Sequence, residues 1–200
     1  MSHPNWKTHD EFPGSISLPY GIKTSHTWHE IGKILRIIND QDIETFIELG
    51  CHVGGLASIL LPLQNIRKFS YWGVERDVSI THDHVLSSGK IIAGDILTVE
   101  MKELIKSKMN GKTLIYCDGG NKIEEMRLYH DLLKSGDIIM THDFWHGWDV
   151  VDVPGFENNA GDCKPEVWIH NLDFLYGNLN FKLVSHYLIE GTRIAGFKKI

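Results

Sequence analysis

A chain of 200 residues with 20 basic and 26 acidic side chains carries a net charge of −6. That is long enough for one domain with a full core, and too acidic, without a dense Lys/Arg run, for a nucleic-acid scaffold. No apolar run approaches bilayer-spanning length, and MSHPNWKTHDEF lacks the basic start and apolar core of a signal peptide. Cys51, Cys117 and Cys163 are widely spaced with no C-x-x-C, so reduced thiols in a cytoplasmic protein are expected.

Residues 1–23, broken by Pro4, Pro13 and Pro19, read as an irregular segment, either a lid or the dimer arm of a homo-oligomer. Thr27 to Asn39 is a helix in which Thr27 and Glu30 fit a capping box. Trp28, Ile31, Leu35 and Ile38 recur at helical spacing as its core face, leaving His26 and His29 as surface residues of the helix start.

The next stretch, IETFIELGCHVGGLA over residues 43–57, reads as a short apolar strand ending on Glu48. A turn carrying Gly50, Cys51, Gly54 and Gly55 follows, and then a helix burying Leu56, Ile59, Leu60 and Leu63, which Pro62 ends or kinks. Glycines let a backbone approach a ligand closely, and a helix start supplies unpaired N–H groups. The combination suits a nucleotide-like ligand at the carboxyl edge of a parallel sheet. The spacing is not G-x-G-x-x-G, and an ordinary glycine-rich turn is the plain alternative.

FSYWGVE, residues 69–75, is a second strand. Its terminal Glu75 is placed to accept hydrogen bonds from ribose hydroxyls, unless it is only a solvated loop acid. His82, Asp83 and His84 are neighbours whose side chains point apart, so they read as surface. Lys90 to Ala93 is a third strand followed by Gly94-Asp95. Thr98 to Met109 is a helix with Met101, Leu104, Ile105 and Met109 inward, closed by Asn110-Gly111.

TLIYCD ends a fourth strand on Asp118, and a helix with Ile123, Met126, Leu132 and Leu133 on its apolar face stops at Gly136. DIIMT, residues 137–141, is a fifth strand running into His142-Asp143. Residues 144–180 are aromatic, acidic and turn-rich. They read as a lid or substrate wall in which Phe144, Trp145, Trp148 and Phe156 shape an acceptor pocket. Phe181 to Ile189 and Thr192 to Lys198 form a strand pair joined at Glu190-Gly191.

This alternation implies an α/β domain: a doubly wound, mostly parallel, seven-stranded Rossmann-like sheet ending in an antiparallel hairpin. Glu48, Glu75, Asp118 and His142-Asp143 then meet along one edge, where open α/β sheets bind ligands. Asp118 and Asp143 repel one another at close range unless a cation sits between them, which points to a divalent metal held by Asp118, His142 and Asp143. Alternatively, Asp118 caps the helix after it.

E-L-G-x-x-x-G-G, Glu75, Gly94-Asp95 and the closing hairpin resemble the class I S-adenosylmethionine-dependent methyltransferases. Asp118 and His142-Asp143 resemble the metal-dependent O-methyltransferase branch that includes the cephalosporin hydroxylase-like and macrolide sugar enzymes. The resemblance covers most of residues 24–143 and the final hairpin. It implies S-adenosylmethionine held by Glu48, Gly50, Cys51, Gly54, Gly55, Glu75, Asp95 and Asp118, with Asp95 beside the adenine. It implies O-methylation of a small hydroxylated acceptor assisted by magnesium or manganese, with iron and zinc as the other ions to weigh.

Two departures stand out. The branch has an oxygen ligand where this chain has His142, and magnesium prefers oxygen; imidazole suits manganese, iron or zinc. The branch also carries a histidine base where this chain has Asn121, so Lys122, His142 or His146 is left to take the proton. Two rival readings remain: a metal-dependent hydrolase or oxygenase using His142, Asp143 and His146, and a non-catalytic S-adenosylmethionine-binding domain.

Overall fold

The architecture comes from a computed structural model, described over residues 16–145, 167–168, 172–175, 177–183 and 194–200. In chain order the strands are β1 (Ile16–Ser17), β2 (Lys23–Thr24), β3 (Thr45–Leu49), β4 (Ser70–Glu75), β5 (Ile91–Ala93), β6 (Thr113–Cys117) and β7 (Ile138–Thr141). They continue with β8 (Phe144–Trp145), β9 (Val167–Trp168), β10 (Phe181–Leu183) and β11 (Ala195–Lys199). The α-helices are α1 (Trp28–Asp40), α2 (Gly55–Arg67), α3 (Asp83–Leu86), α4 (Val99–Lys108) and α5 (Lys122–Tyr129).

Seven strands form one sheet in the order β10-β11-β7-β6-β3-β4-β5. Neighbours from β7 to β5 are parallel; β11 pairs antiparallel with β7, and β10 antiparallel with β11. This is the expected mostly parallel sheet closed by an antiparallel pair. The chain winds outward from β3 in one direction and from β6 in the other, so their carboxyl ends flank a switch point. The expected turn at Glu190-Gly191 lies outside the described residues, as do Trp148 and Phe156.

The central strands are buried on both faces, as parallel strands covered by helices must be. Alternation sorts their side chains into two cores. Phe46, Leu114, Tyr116, Ile138 and Met140 pack with Ile31, Ile34, Ile37 and Ile38 of α1 and Leu56, Leu60 and Leu61 of α2. Ile47, Leu49, Ile115, Cys117 and Ile139 pack with Met101 and Ile105 of α4 and Met126 and Tyr129 of α5.

Local details differ from expectation. The capping box forms at Thr27 and Glu30, yet Trp28 is 62% exposed, because the buried face of α1 runs through Glu30, Ile31, Ile34, Ile37 and Ile38 and Trp28 is rotated off it. Leu104 is 39% exposed and outside the α4 core face. Pro62 does not end α2, which runs on to Arg67; the proline lies on an exposed face, where losing one N–H bond is tolerated once Leu60 and Leu61 anchor the helix. Residues 16–24 are not wholly irregular, since β1 and β2 pair antiparallel. Among the described residues no helix is long and apolar enough to cross a membrane.

Candidate functional site

The glycine turn after β3 lies at the switch point, but its glycines serve packing first. Gly50 has φ +85, and a Cβ there would lie 2.5 Å from the Gly119 Cα in the loop after β6. Gly54, at φ +88, would collide with Val85, and Gly55 with Thr24. The loops therefore close on one another through missing side chains, leaving backbone at the crevice. Cys51 is buried, and burial, with the charges of Glu48 and Glu75, pushes its thiol up, so it is inert.

The first two strand-terminal acids have different surroundings. Glu75 is half-buried, and its carboxylate accepts the N–H groups of His52 at 2.8 Å and Asp77 at 3.0 Å. Glu48 faces inward instead and is bonded by the Tyr71 hydroxyl. Burial, with the charges of Asp118 and Glu75, raises its carboxyl to about 8 despite that bond. Among the described residues Glu48 is thus a buried acid behind the turn rather than a group open to a ligand. Asp95 is exposed and accepts Leu97 N–H at 2.9 Å.

The second half of the edge is assembled from three segments. Cys117 and Thr141 are register partners, and His142 N–H donates to the Cys117 carbonyl at 3.1 Å. This sets Asp118 and His142 side by side on the α1 face. His142 Nδ1 lies 3.1 Å from Asp118 Oδ1, and His26 Nε2 lies 3.3 Å from Asp118 Oδ2. The two imidazoles stack with centroids 4.7 Å apart. Donor atoms of His26, Asp118 and His142 all lie within 4.8 Å of one another, so one ion can be reached by all three.

The outer nitrogens of both rings have partners as well. His26 Nδ1 is 3.1 Å from Thr24 Oγ1, and His142 Nε2 is 3.4 Å from Glu30 Oε1. The Tyr116 hydroxyl also sits 3.0 Å from His26 Nε2. Asp143, with left-handed φ +55, turns the chain directly after His142. Its Oδ2 lies 3.2 Å from Lys122 Nζ and 3.6 Å from His142 Nδ1. Lys122 also approaches Asp118 at 3.8 Å and donates to the Gly119 carbonyl at 3.0 Å.

Charge complementarity dominates here. Burial works to raise the Asp118 carboxyl, but the charge and hydrogen bond of His142, then those of His26, hold it well below the usual carboxylate range. Burial likewise raises Glu30, yet the bond and charge of His142 outweigh it and bring Glu30 down to about 2. In His142 burial opposes charge, but Asp118, Glu30 and Asp143 together raise it to about 10. Without a metal, these carboxylates favour the protonated form of His142, a second positive group beside Lys122.

Asn121, not Asp118, caps α5, its side chain accepting Glu124 N–H at 3.4 Å. Glu125 accepts the N–H groups of Gly119 and Asn121 at 3.2 and 3.1 Å and so fixes the loop carrying Asp118. His82 caps α3, and His84 stacks on Tyr20. His29 is exposed. His146 lies outside the described residues.

His26 was expected on the surface and is 3% exposed, beside Asp118. Alternation held a signal: Leu114, Tyr116 and Asp118 share a parity, as do Ile138, Met140 and His142, and both rows face α1. The capping box places the start of α1, so His26 and Glu30 were the groups to test there.

No protein-family model and no curated protein sequence matches this chain. Solved structures do match. CmcI without ligand is 15% identical, with TM-score 0.66, over 90% of this chain and 75% of that one. A Staphylococcus aureus protein assigned as a caffeoyl-CoA O-methyltransferase is 15% identical, with TM-score 0.63, over 88% and 86%. MycE from the mycinamycin biosynthetic pathway, in complex with Mg and SAH, is 17% identical, with TM-score 0.55, over 88% of this chain and 50% of its own. A further CmcI structure, named for Mg and SAM, has TM-score 0.62 at 14% identity. The fold is thus the Rossmann-like one seen in these methyltransferase structures.

Proposed function

We propose that this chain is an S-adenosylmethionine-dependent methyltransferase that O-methylates a small hydroxylated acceptor with the help of a divalent metal. The observation that carries this reading is the shared edge: a glycine-lined crevice beside Glu75 on one side of the switch point, and a buried cluster of metal-ligating groups on the other. Two fold neighbours are named for Mg with SAM or SAH, the same two kinds of ligand.

S-adenosylmethionine supplies an electrophilic methyl, and a divalent ion supplies Lewis acidity toward the acceptor hydroxyl. A C–O bond forms as the C–S bond breaks, and the acceptor proton must leave. Most of the rate comes from holding the two reactants in line. On the cofactor side, Gly50, Gly54 and Gly55 shape the backbone and Glu75 would hold the ribose. Glu48 and Cys51 support the turn from behind, and Asp95 would face the adenine.

On the acceptor side, Lys122 is a fixed cation stabilising the developing oxyanion, its orientation set by Asp143. His142 has a carboxylate at each ring nitrogen and is assigned to holding the ion, not to taking the proton. His146 is the remaining proton acceptor among the groups read from the sequence.

The test is incubation of the chain with S-adenosylmethionine and sugar or catechol acceptors, with and without chelator. S-adenosylhomocysteine release that requires acceptor and stops with chelator is expected. Turnover indifferent to chelator defeats the metal and spares the methyl transfer; no turnover and no cofactor binding defeats both.

A further inference from the structure

The ligands that the sequence suggests for an ion, Asp118, His142 and Asp143, are not the three that converge. Asp143 already faces the Lys122 ammonium at 3.2 Å, and that lysine is buried. A buried cation and its carboxylate are costly to separate. The group that closes on Asp118 and His142 is His26, which arrives from the segment just before α1.

Four observations make this a built site. The nitrogens facing Asp118 lie 3.1 and 3.3 Å from its oxygens; donors bound to one ion at about 2.0–2.2 Å sit about 3 Å apart. Each imidazole has an oxygen partner on its other nitrogen, Thr24 for His26 and Glu30 for His142. That is the arrangement that fixes the tautomer and orientation of a metal-bound histidine. The charges also match: a divalent ion is balanced by Asp118 and Glu30, while Lys122 and Asp143 balance each other. Both histidines and Glu30 are at most 3% exposed, an expensive burial that the capping role of Glu30 explains only in part.

We propose that His26, Asp118 and His142 form a divalent transition-metal site, with Thr24 and Glu30 orienting the imidazoles and Asp143 held outside the ligand set by Lys122. Two nitrogen donors and one carboxylate suit manganese, iron, cobalt or zinc. Magnesium, which favours all-oxygen octahedra, does not fit this donor set. With three protein ligands, positions remain open for an acceptor hydroxyl or water. The proposal depends on the functional reading above only for the presence of a divalent ion, and its test uses neither cofactor nor acceptor.

The experiment is titration of the chelator-stripped full chain with Co²⁺, read by its visible ligand-field absorption and by equilibrium dialysis. One equivalent is expected to bind and to resist a hundredfold excess of Mg²⁺, roughly what donor preference implies. His26→Ala should weaken binding by about 100-fold or more, and Glu30→Gln, which preserves the capping box, by about 10–100-fold. Asp143→Asn, which removes no ligand but leaves Lys122 uncompensated beside Asp118, should weaken it clearly less than His26→Ala does. Should His26→Ala fail to fold, Mn²⁺ added to the unmodified chain should selectively broaden the ring-proton resonances of His26 and His142. Absence of binding, displacement of Co²⁺ by comparable Mg²⁺, unbroadened His26 resonances, or equal losses in the His26 and Asp143 variants would each overturn the proposal. A magnesium-dependent methyltransferase that failed here would still stand as a methyltransferase.

Discussion

At the β3–β4 end of the sheet, the groups around the crevice come from one unbroken stretch, residues 48–55, plus the acid that ends the next strand. At the β6–β7 end, three donors arrive from positions 26, 118 and 142, and a fourth group, Glu30, holds one of them. The first half works through absent side chains that let backbone segments touch; the second through buried charges that need one another. A contiguous, backbone-built site can be read along the sequence, whereas one assembled across the fold must be found from strand parity and helix starts.

Breaking each half separately should separate its functions. The largest expected effect is from Asp118→Ala, which removes the carboxylate both imidazoles face. Turnover should fall by on the order of 10²–10³-fold or more, while calorimetric S-adenosylmethionine affinity changes little. A comparable loss of cofactor affinity would move Asp118 into the cofactor half, where the family resemblance also put it. Gly50→Ala should act in the other half. Its positive φ and the 2.5 Å approach to Gly119 make a Cβ cost about 1–3 kcal/mol or more, read as a lowered melting temperature with weakened cofactor binding. An unchanged melting temperature would show that the two loops are not packed as described.

A smaller effect is expected from Glu75→Gln. Its backbone bonds to His52 and Asp77 lose charge assistance, and cofactor affinity should drop by roughly tenfold. Co²⁺ binding should not move; a parallel loss of both would mean that the halves are coupled.

A last effect, on the pH dependence of stability, concerns Glu48, buried behind the turn. The folded state keeps its proton up to about pH 8, against an ordinary value of 4.5. The folded chain therefore binds more protons than the unfolded chain between those values, so this group's contribution to stability falls as pH rises through that window. Glu48→Gln, neutral throughout, should flatten that part of the slope in chemical-denaturation measurements across it. Parallel curves for the two proteins would place Glu48 in a more polar setting.

The mostly parallel, doubly wound sheet was legible because strands alternate with amphipathic helices, and Glu48, Glu75 and Asp118 mark three of the carboxyl ends. The core was legible wherever a helix lies over a strand. It failed at Trp28, rotated off the buried face of α1, and at Leu104, one position off the α4 face. Asp118 and His142 were legible as strand ends on neighbouring strands. His26 was legible only indirectly, through the capping box beside it and the strand parity that turns Asp118 and His142 toward α1, because its partners lie 92 and 116 positions away. Glu30 was legible as a cap, and its second contact with His142 was hidden for the same reason.

The central claim is that the β3–β4 crevice takes S-adenosylmethionine independently of the metal cluster across the switch point. Calorimetric titration of the full chain with S-adenosylmethionine, once with chelator and once with Co²⁺, tests it most directly. One cofactor per chain is expected, with affinities agreeing within about threefold between the two conditions. No binding in either condition would contradict the claim outright, and binding seen only with the metal would contradict the independence of the two halves.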